Sequence, residues 1–388
     1  MHQPKIKTDK INSLIESIGV KFFLRFSKKL KSERTIKLKD IPSDRVLEVV
    51  VNNITLNVVI IAFLIGALTT VPAVLFEIYY KEAFEPLYYY GLLSLVTLFF
   101  LVIEVGVLYW LGIRGVHTLS YLTGYNEEEE STLPPEYDVK KMMVRSAFEI
   151  EDPAVEYLGI DPQKYVSSHW LFVRTLLYKA KIILTTIIVK FFLKKLAMRY
   201  GVRMGFVWIA IPVTAIWDAV VMYRVIQDAK LRLFGYHLSK HIAQEIITDK
   251  LLNSYSNDIR EGAIRAVSTI MVLSQDYHPN NVLLLICLNE NLAIKEKKNY
   301  DDLPIFLAYL DRASLDEKHL LRTLSGMAAV FDGKMRKKEK RALEEIFGEE
   351  KNRYMSFTKE LKSLLLLGHI HQATALCEEG ILKRDIKA

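Results

Sequence analysis

From Val49 to Phe76 the chain carries no charged residue. At 1.5 Å per residue, a helix of that text outruns the roughly 30 Å hydrocarbon core of a bilayer. The short connection YKEAFEP (80–86) leads into a second such stretch. Residues 86–113, PLYYYGLLSLVTLFFLVIEVGVLYWLGI, hold one charge, Glu104. Tyr88, Tyr89 and Tyr90 stand at one end and Tyr109 and Trp110 at the other, as aromatic belts do at the two water interfaces. Asn52, Asn53 and Asn57 sit at the entrance of the first stretch, where headgroups and water satisfy them. The text therefore predicts a transmembrane hairpin with spans near 55–79 and 87–113. Pro72 is tolerated where neighbouring helices satisfy the freed carbonyl.

Beyond the hairpin, residues 114–168 read as a polar loop, with the acidic run Glu127 to Glu130 followed by Pro134 and Pro135, and then by short helical pieces over DPAVEYLGIDP punctuated by Pro153 and Pro162. Residues 169–223 admit two readings. One is a second membrane hairpin with spans near 171–196 and 204–223. The other is a pair of helices lying in the inner interface, their lysines snorkelling to water. Four spans are favoured, although Lys194, Lys195, Arg199 and Arg203 would then cluster at the outer turn, against the positive-inside tendency. The membrane domain so defined covers 49–235.

Residues 1–48 form a basic N-terminal segment without the apolar core of a cleavable signal peptide. Within it, Ile11, Leu14, Ile15, Ile18, Phe22 and Phe26 recur at helical spacing opposite lysines, which predicts an amphipathic helix of the interfacial kind or one packed on the cytosolic domain. The net charge of +7 concentrates here. An anionic inner leaflet is a better partner for it than nucleic acid, because the basic text runs straight into an apolar span. The segments 1–45, 190–203 and 224–232 are all expected to hold to that surface. Residues 236–388 are charged and helical in pattern, broken at YHPNN (277–281) and near Pro304, and predict a water-soluble bundle of five to eight helices. The fold class is thus all-α: membrane hairpins of two to four spans plus a C-terminal helical bundle.

Several side chains invite chemistry. Glu104 lies deep in the second span, and a carboxylate at that depth is a functional candidate by default. Asp218 is a second such case, and a hairpin over 169–223 would set it near Lys181, where an ion pair offsets part of the desolvation cost. His237, His241 and Glu245 share one helix face at metal-ligand spacing, although the text is not HExxH. Asp332 and Glu339 bracket a helix–turn–helix, with Gly333 supplying the turn. With Gly333 as sixth position of a calcium loop, Ala328 and Val330 would occupy positions one and three, so two oxygen ligands are missing. Cys287 and Cys377 lack the spacing of disulfide or zinc frameworks. Phosphate loops, nucleophile elbows and kinase motifs are absent from the text, so neither an enzyme nor a cofactor is expected.

The sequence Met327-Ala328-Ala329, Asp332-Gly333 and Glu339, set between two apolar helices, resembles the TerB-like helical domain named after tellurite-resistance proteins. Residues 263–288, with Asp276 and His278 at the turn, would form its other half, although no glycine follows Asp276 and Pro279 takes over the turn. The resemblance implies an all-helical cytosolic module attached to a bacterial membrane anchor, with Asp332 and Glu339 as metal or partner contacts. The chain is accordingly expected in a bacterial inner membrane with both termini cytoplasmic, as an anchor, scaffold or stress-linked sensor. Its partners would be lipid and another protein reached through 236–388, and a homo-oligomer is compatible. The rival expectation is an oligomeric channel or transporter that uses Glu104 and Asp218.

Overall fold

The computed structural model describes residues 5–7, 10–33, 42–123, 137–162, 206–256, 258–292, 294 and 298–382. They are helical almost throughout. In chain order come α1 (Lys10–Glu33), α2 (Asp44–Tyr80), α3 (Pro86–Leu122), α4 (Val139–Ala147), α5 (Phe206–His241), α6 (Asp249–Leu252), α7 (Ile259–Ser274), α8 (Pro279–Leu292), α9 (Leu303–Arg312), α10 (Leu315–Phe331), α11 (Lys337–Phe347), α12 (Lys351–Leu367) and α13 (Ile370–Leu382). Two three-residue strands, β1 (Lys5–Lys7) and β2 (Ala154–Glu156), pair antiparallel with Ile6 opposite Val155. Three helices are long and apolar enough to cross a membrane: α2, α3 and the one beginning at α5. The span expected near 171–196, and with it Lys181, lies outside the described residues.

The chain divides into two compact units: Asn53–Gly115 with Val166–Ile226, and Met1–Asn52 with Val116–Tyr165 and Gln227–Ala388. The first is the apolar unit. Its helices turn large hydrophobic side chains outward, among them Leu68 at 69% exposure and Leu95 at 66%, with Val102, Phe99 and Ile216 also exposed. A water-soluble domain buries such faces, whereas a lipid-bathed one presents them. Helix α2 continues through Pro72. At Gly66 the backbone of α5 comes close: a methyl group there would lie 3.0 Å from both the Ala215 Cα and the Thr214 carbonyl oxygen. Small residues allow such approach between membrane helices, where packing rather than hydrophobicity drives association.

The second unit is built around α7 and α10. Ala263, Ile264, Val267 and Ile270 of α7, and Leu320, Leu321, Leu324 and Met327 of α10, are buried in its core. Helix α10 starts where a capping box forms: the Glu317 backbone N–H donates to the Ser314 hydroxyl (3.4 Å), and the Ser314 N–H donates to the Glu317 carboxylate (2.8 Å). It ends at Gly333, whose φ of +68° is the left-handed value the Asp-Gly pair predicted. Asp302 caps α9 by accepting from the Ile305 N–H at 3.2 Å, with Pro304 in the first turn. Asp44, at the start of α2, accepts from the N–H groups of His371 and Gln372 at 3.1 Å each and so satisfies the first turn of α13.

Two sequence expectations change here. Residues 114–168 are not a loop followed by helical pieces at DPAVEYLGIDP: α3 runs on to Leu122, α4 packs six buried residues, Met142 to Ala147, and Ala154–Glu156 is a strand paired with β1. Residues 116–165 also group with the bundle rather than with the apolar unit. The second change concerns the basic stretch 224–232, which does not present all its cations outward. Lys230 is buried, and Arg232 forms two 2.8 Å hydrogen bonds to Asp152 and one of 2.7 Å to Asp228. A bidentate carboxylate partner takes that cation out of reach of lipid. The segment 190–203 lies outside the described residues.

Candidate functional site

The turn after α10 holds the most unusual ionisable pair in the bundle unit. Asp332 follows the last helical residue, and its Oδ1 accepts from the Lys334 N–H at 2.9 Å. Glu339, in the first turn of α11, reaches back so that its Oε2 accepts from the Arg336 N–H at 3.2 Å. Each carboxyl thus has one backbone donor. The other oxygens, Asp332 Oδ2 and Glu339 Oε1, are buried with no hydrogen-bond partner. Glu339 is fully buried and Asp332 is 9% exposed.

Burial pushes the Asp332 carboxyl up to about 7, and the negative charge of Asp276 adds to this. Glu339 rises to about 8, from burial first and then from Asp332, with a further contribution from Asp276. The backbone donors and the Lys334 and Arg336 charges pull the other way without cancelling the rise. The group is therefore poised to exchange protons near neutrality, as carboxyls that share a desolvated site do. Asp276 belongs to the turn after α7, where the left-handed residue is Gln275 (φ 52°) and α8 then opens at Pro279. The departure noted in the sequence, no glycine after Asp276, is absorbed one residue earlier.

Beside this turn lies a second polar cluster that the sequence did not reveal. Arg145 donates from Nε to Glu16 at 2.8 Å, and its Nη1 is 3.9 Å from Asp152, which Arg232 grips. His278 stands within electrostatic reach of Arg232, Asp152 and Asp228. Burial, then Arg232, lowers it to about 4, so the ring is neutral at physiological pH. Asp228 and Arg232 are four apart and Arg145 and Asp152 seven, but Glu16 lies far from Arg145 and Asp152 far from Arg232, so the cluster as a whole is not legible in sequence.

In the apolar unit, Glu104 and Asp218 are each 2% exposed. Glu104 Oε2 is 2.8 Å from the Thr69 hydroxyl. That hydroxyl also lies 2.9 Å from the Ile65 carbonyl, and its single proton serves one acceptor at a time. Asp218 Oδ2 lies 2.5 Å from where a Cβ on Gly66 would sit. Gly66 and Thr69 are three residues apart, neighbours on one face of α2. The two carboxylates, on different helices, thus converge on a single turn of α2, which their separation in sequence hides.

The histidine face is not gathered as a metal site. His241 spends Nδ1 on Glu245 (3.1 Å) and Nε2 on Glu378 (2.8 Å), while His237 packs its ring edge-on to Tyr236. Among the described residues no group of three metal-ligating side chains is assembled. Cys287 and Cys377 are free, buried thiols, and burial raises the first to about 12 and the second further still. Comparisons with protein-family models, curated proteins and solved structures return no match to this chain.

Proposed function

We propose that this chain is a membrane-anchored sensor, of the stress-linked kind, that reports through protein contacts of its helical bundle. The observation that carries the reading is the Asp332–Glu339 pair, with its two partnerless buried oxygens at the turn between α10 and α11. Protons enter or leave that pair near neutral pH, and the cost of leaving it charged falls on the packing of α7, α10 and α11. The apolar helices supply the anchor, in keeping with a bacterial inner membrane and cytoplasmic termini. The acidic turn also supports the TerB-like reading, which would make Asp332 and Glu339 metal or partner contacts.

The test uses the full chain in its native membrane, with photo-crosslinkers on the exposed bundle positions Leu315 and Lys340. An adduct to another protein whose yield changes between acidic and alkaline buffer, and which loses that change in Asp332→Asn/Glu339→Gln, supports the proposal. An adduct insensitive to both changes, or no adduct, overturns it.

A second reading, a channel or transporter, draws on the convergence of Glu104 and Asp218 on one turn of α2. Intramembrane carboxylates mark ion and proton paths. Purified protein in liposomes would then conduct protons or cations, and Glu104→Gln and Asp218→Asn would each abolish the flux. Silent liposomes dispose of it.

A further inference from the structure

Helix α1 packs on the bundle unit through one side and leaves its apolar stripe exposed on another. The buried side comprises Glu16, Gly19, Phe23 and Ser27, at successive spacings of three and four. Glu16 pairs with the buried Arg145 at 2.8 Å. Gly19 sits so close to Val144 and Phe148 of α4 that a methyl group would collide with both. Phe23 is 1% exposed and packs its ring edge against His117 at 4.7 Å, and the Ser27 hydroxyl lies 2.9 Å from the same imidazole. This face is small and polar, yet it fixes the helix.

The stripe that gives the helix its amphipathic pattern points the other way. Leu14 is 64% exposed, and Ile15, Ile18 and Phe22 are exposed as well. At 100° per residue these four fall within an arc of about 100°. Lys21 lies about 20° outside the Leu14 edge of that arc and Arg25 about 20° inside it, and both are exposed. The helix sequence contains Lys10, Lys21, Arg25, Lys28, Lys29 and Lys31 against only Glu16 and Glu33, and Glu16 is already neutralised inward by Arg145. The outward face is therefore apolar with a cationic flank. That is the chemistry of a helix lying in the headgroup layer, its hydrophobic side chains towards the acyl boundary and its basic side chains on lipid phosphates. A protein-binding face would not need the cationic excess, and this chain carries three helices long and apolar enough to cross a membrane.

We propose that α1 lies in the plane of an anionic leaflet through Leu14, Ile15, Ile18 and Phe22, and that its opposite face ties the bundle unit to that surface. The inference goes beyond the sensor reading and stands without it.

The test places an environment-sensitive fluorophore on the full chain in nanodiscs, at Ile18→Cys, at Phe22→Cys and, as the off-stripe position, at Ser13→Cys. The native cysteines are buried, and unsubstituted protein reports any label they take. In discs of phosphatidylcholine and phosphatidylglycerol, acyl-chain-brominated lipid should quench the labels at Ile18 and Phe22 at least about twofold more than the label at Ser13. Lys21→Glu/Arg25→Glu, or discs of phosphatidylcholine alone, should cut that quenching. A label at Ile18 that emits as if in water overturns the proposal. So does one that is dry but untouched by brominated lipid, which would instead indicate a second copy or another protein on the stripe. Equal quenching at all three positions overturns it too, because the stripe would then have no orientation.

Discussion

Replacing Asp332 and Glu339 by Asn and Gln keeps their shape and their backbone acceptors but removes the capacity to ionise. In the folded chain the two carboxyls titrate at about 7 and about 8, against 3.8 and 4.5 for free side chains. The sign follows from linkage. Below about pH 3 both carboxyls are almost fully protonated whether the chain is folded or unfolded, and the pair costs almost nothing. As pH rises the unfolded chain ionises first, so stability falls progressively until the folded pair ionises in turn, between about 7 and 8. At 1.36 kcal/mol per unit, the upper bound is about 4 kcal/mol for Asp332 and about 5 kcal/mol for Glu339. The pair is coupled, so half of one such term, about 2 kcal/mol, is the safer expectation for either single substitution at alkaline pH. For a bundle of this size that corresponds to a rise in Tm of roughly 4–8 °C. His278 works in the opposite direction: held at about 4 by burial, it lowers stability as pH falls below its free value of 6.5. Comparing variant with parent at each pH cancels that contribution. The assay is thermal unfolding of the full chain in nanodiscs at several pH values, with hydrogen exchange in α7 and α10 identifying the bundle transition. Variants more stable than the parent at about pH 8 and matching it at about pH 3 bear the reasoning out. A parallel offset at all pH values, or destabilisation at pH 8, refutes it.

Gly66→Ala should force Asp218 and the α5 backbone away from α2, at a cost of about 1–3 kcal/mol, read as a lower detergent-unfolding midpoint; Ala67→Gly, its neighbour, should not reproduce that loss through crowding. Arg232→Met should strand Asp152 and destabilise the bundle unit by about 3–5 kcal/mol, and adding Asp152→Leu should recover part of the loss, measured by a double-mutant cycle. Cys287 and Cys377 should resist a maleimide under native conditions and react on denaturation, because both thiols are buried and kept protonated.

The spans over α2 and α3 were legible because a charge-free stretch of that length has few other places to go. Their full extent was not. α3 runs to Leu122 through polar text that stays helical by packing, as the burial of Leu119 and Ser120 shows. The Asp332-Gly333 turn could be read locally, since only glycine takes that backbone conformation without strain. Asp276 could not be placed beside it, because the approach depends on how two distant helix–turn–helix segments pack. In α1, periodicity found the apolar stripe but could not show which face holds the helix to the bundle unit: that face is Glu16, Gly19, Phe23 and Ser27, whose fit is steric and ionic rather than hydrophobic. Arg232 was read as a surface cation because its partner, Asp152, lies 80 residues away.

Everything rests on lipid sheltering the outward-facing Leu68, Leu95, Val102 and their neighbours. Fractionation of expressing cells with alkaline carbonate tests this most directly. The chain should remain with the membrane pellet and dissolve only when detergent is added. Recovery of a monodisperse, detergent-free protein in the aqueous supernatant would contradict it and require those faces to be covered by protein instead.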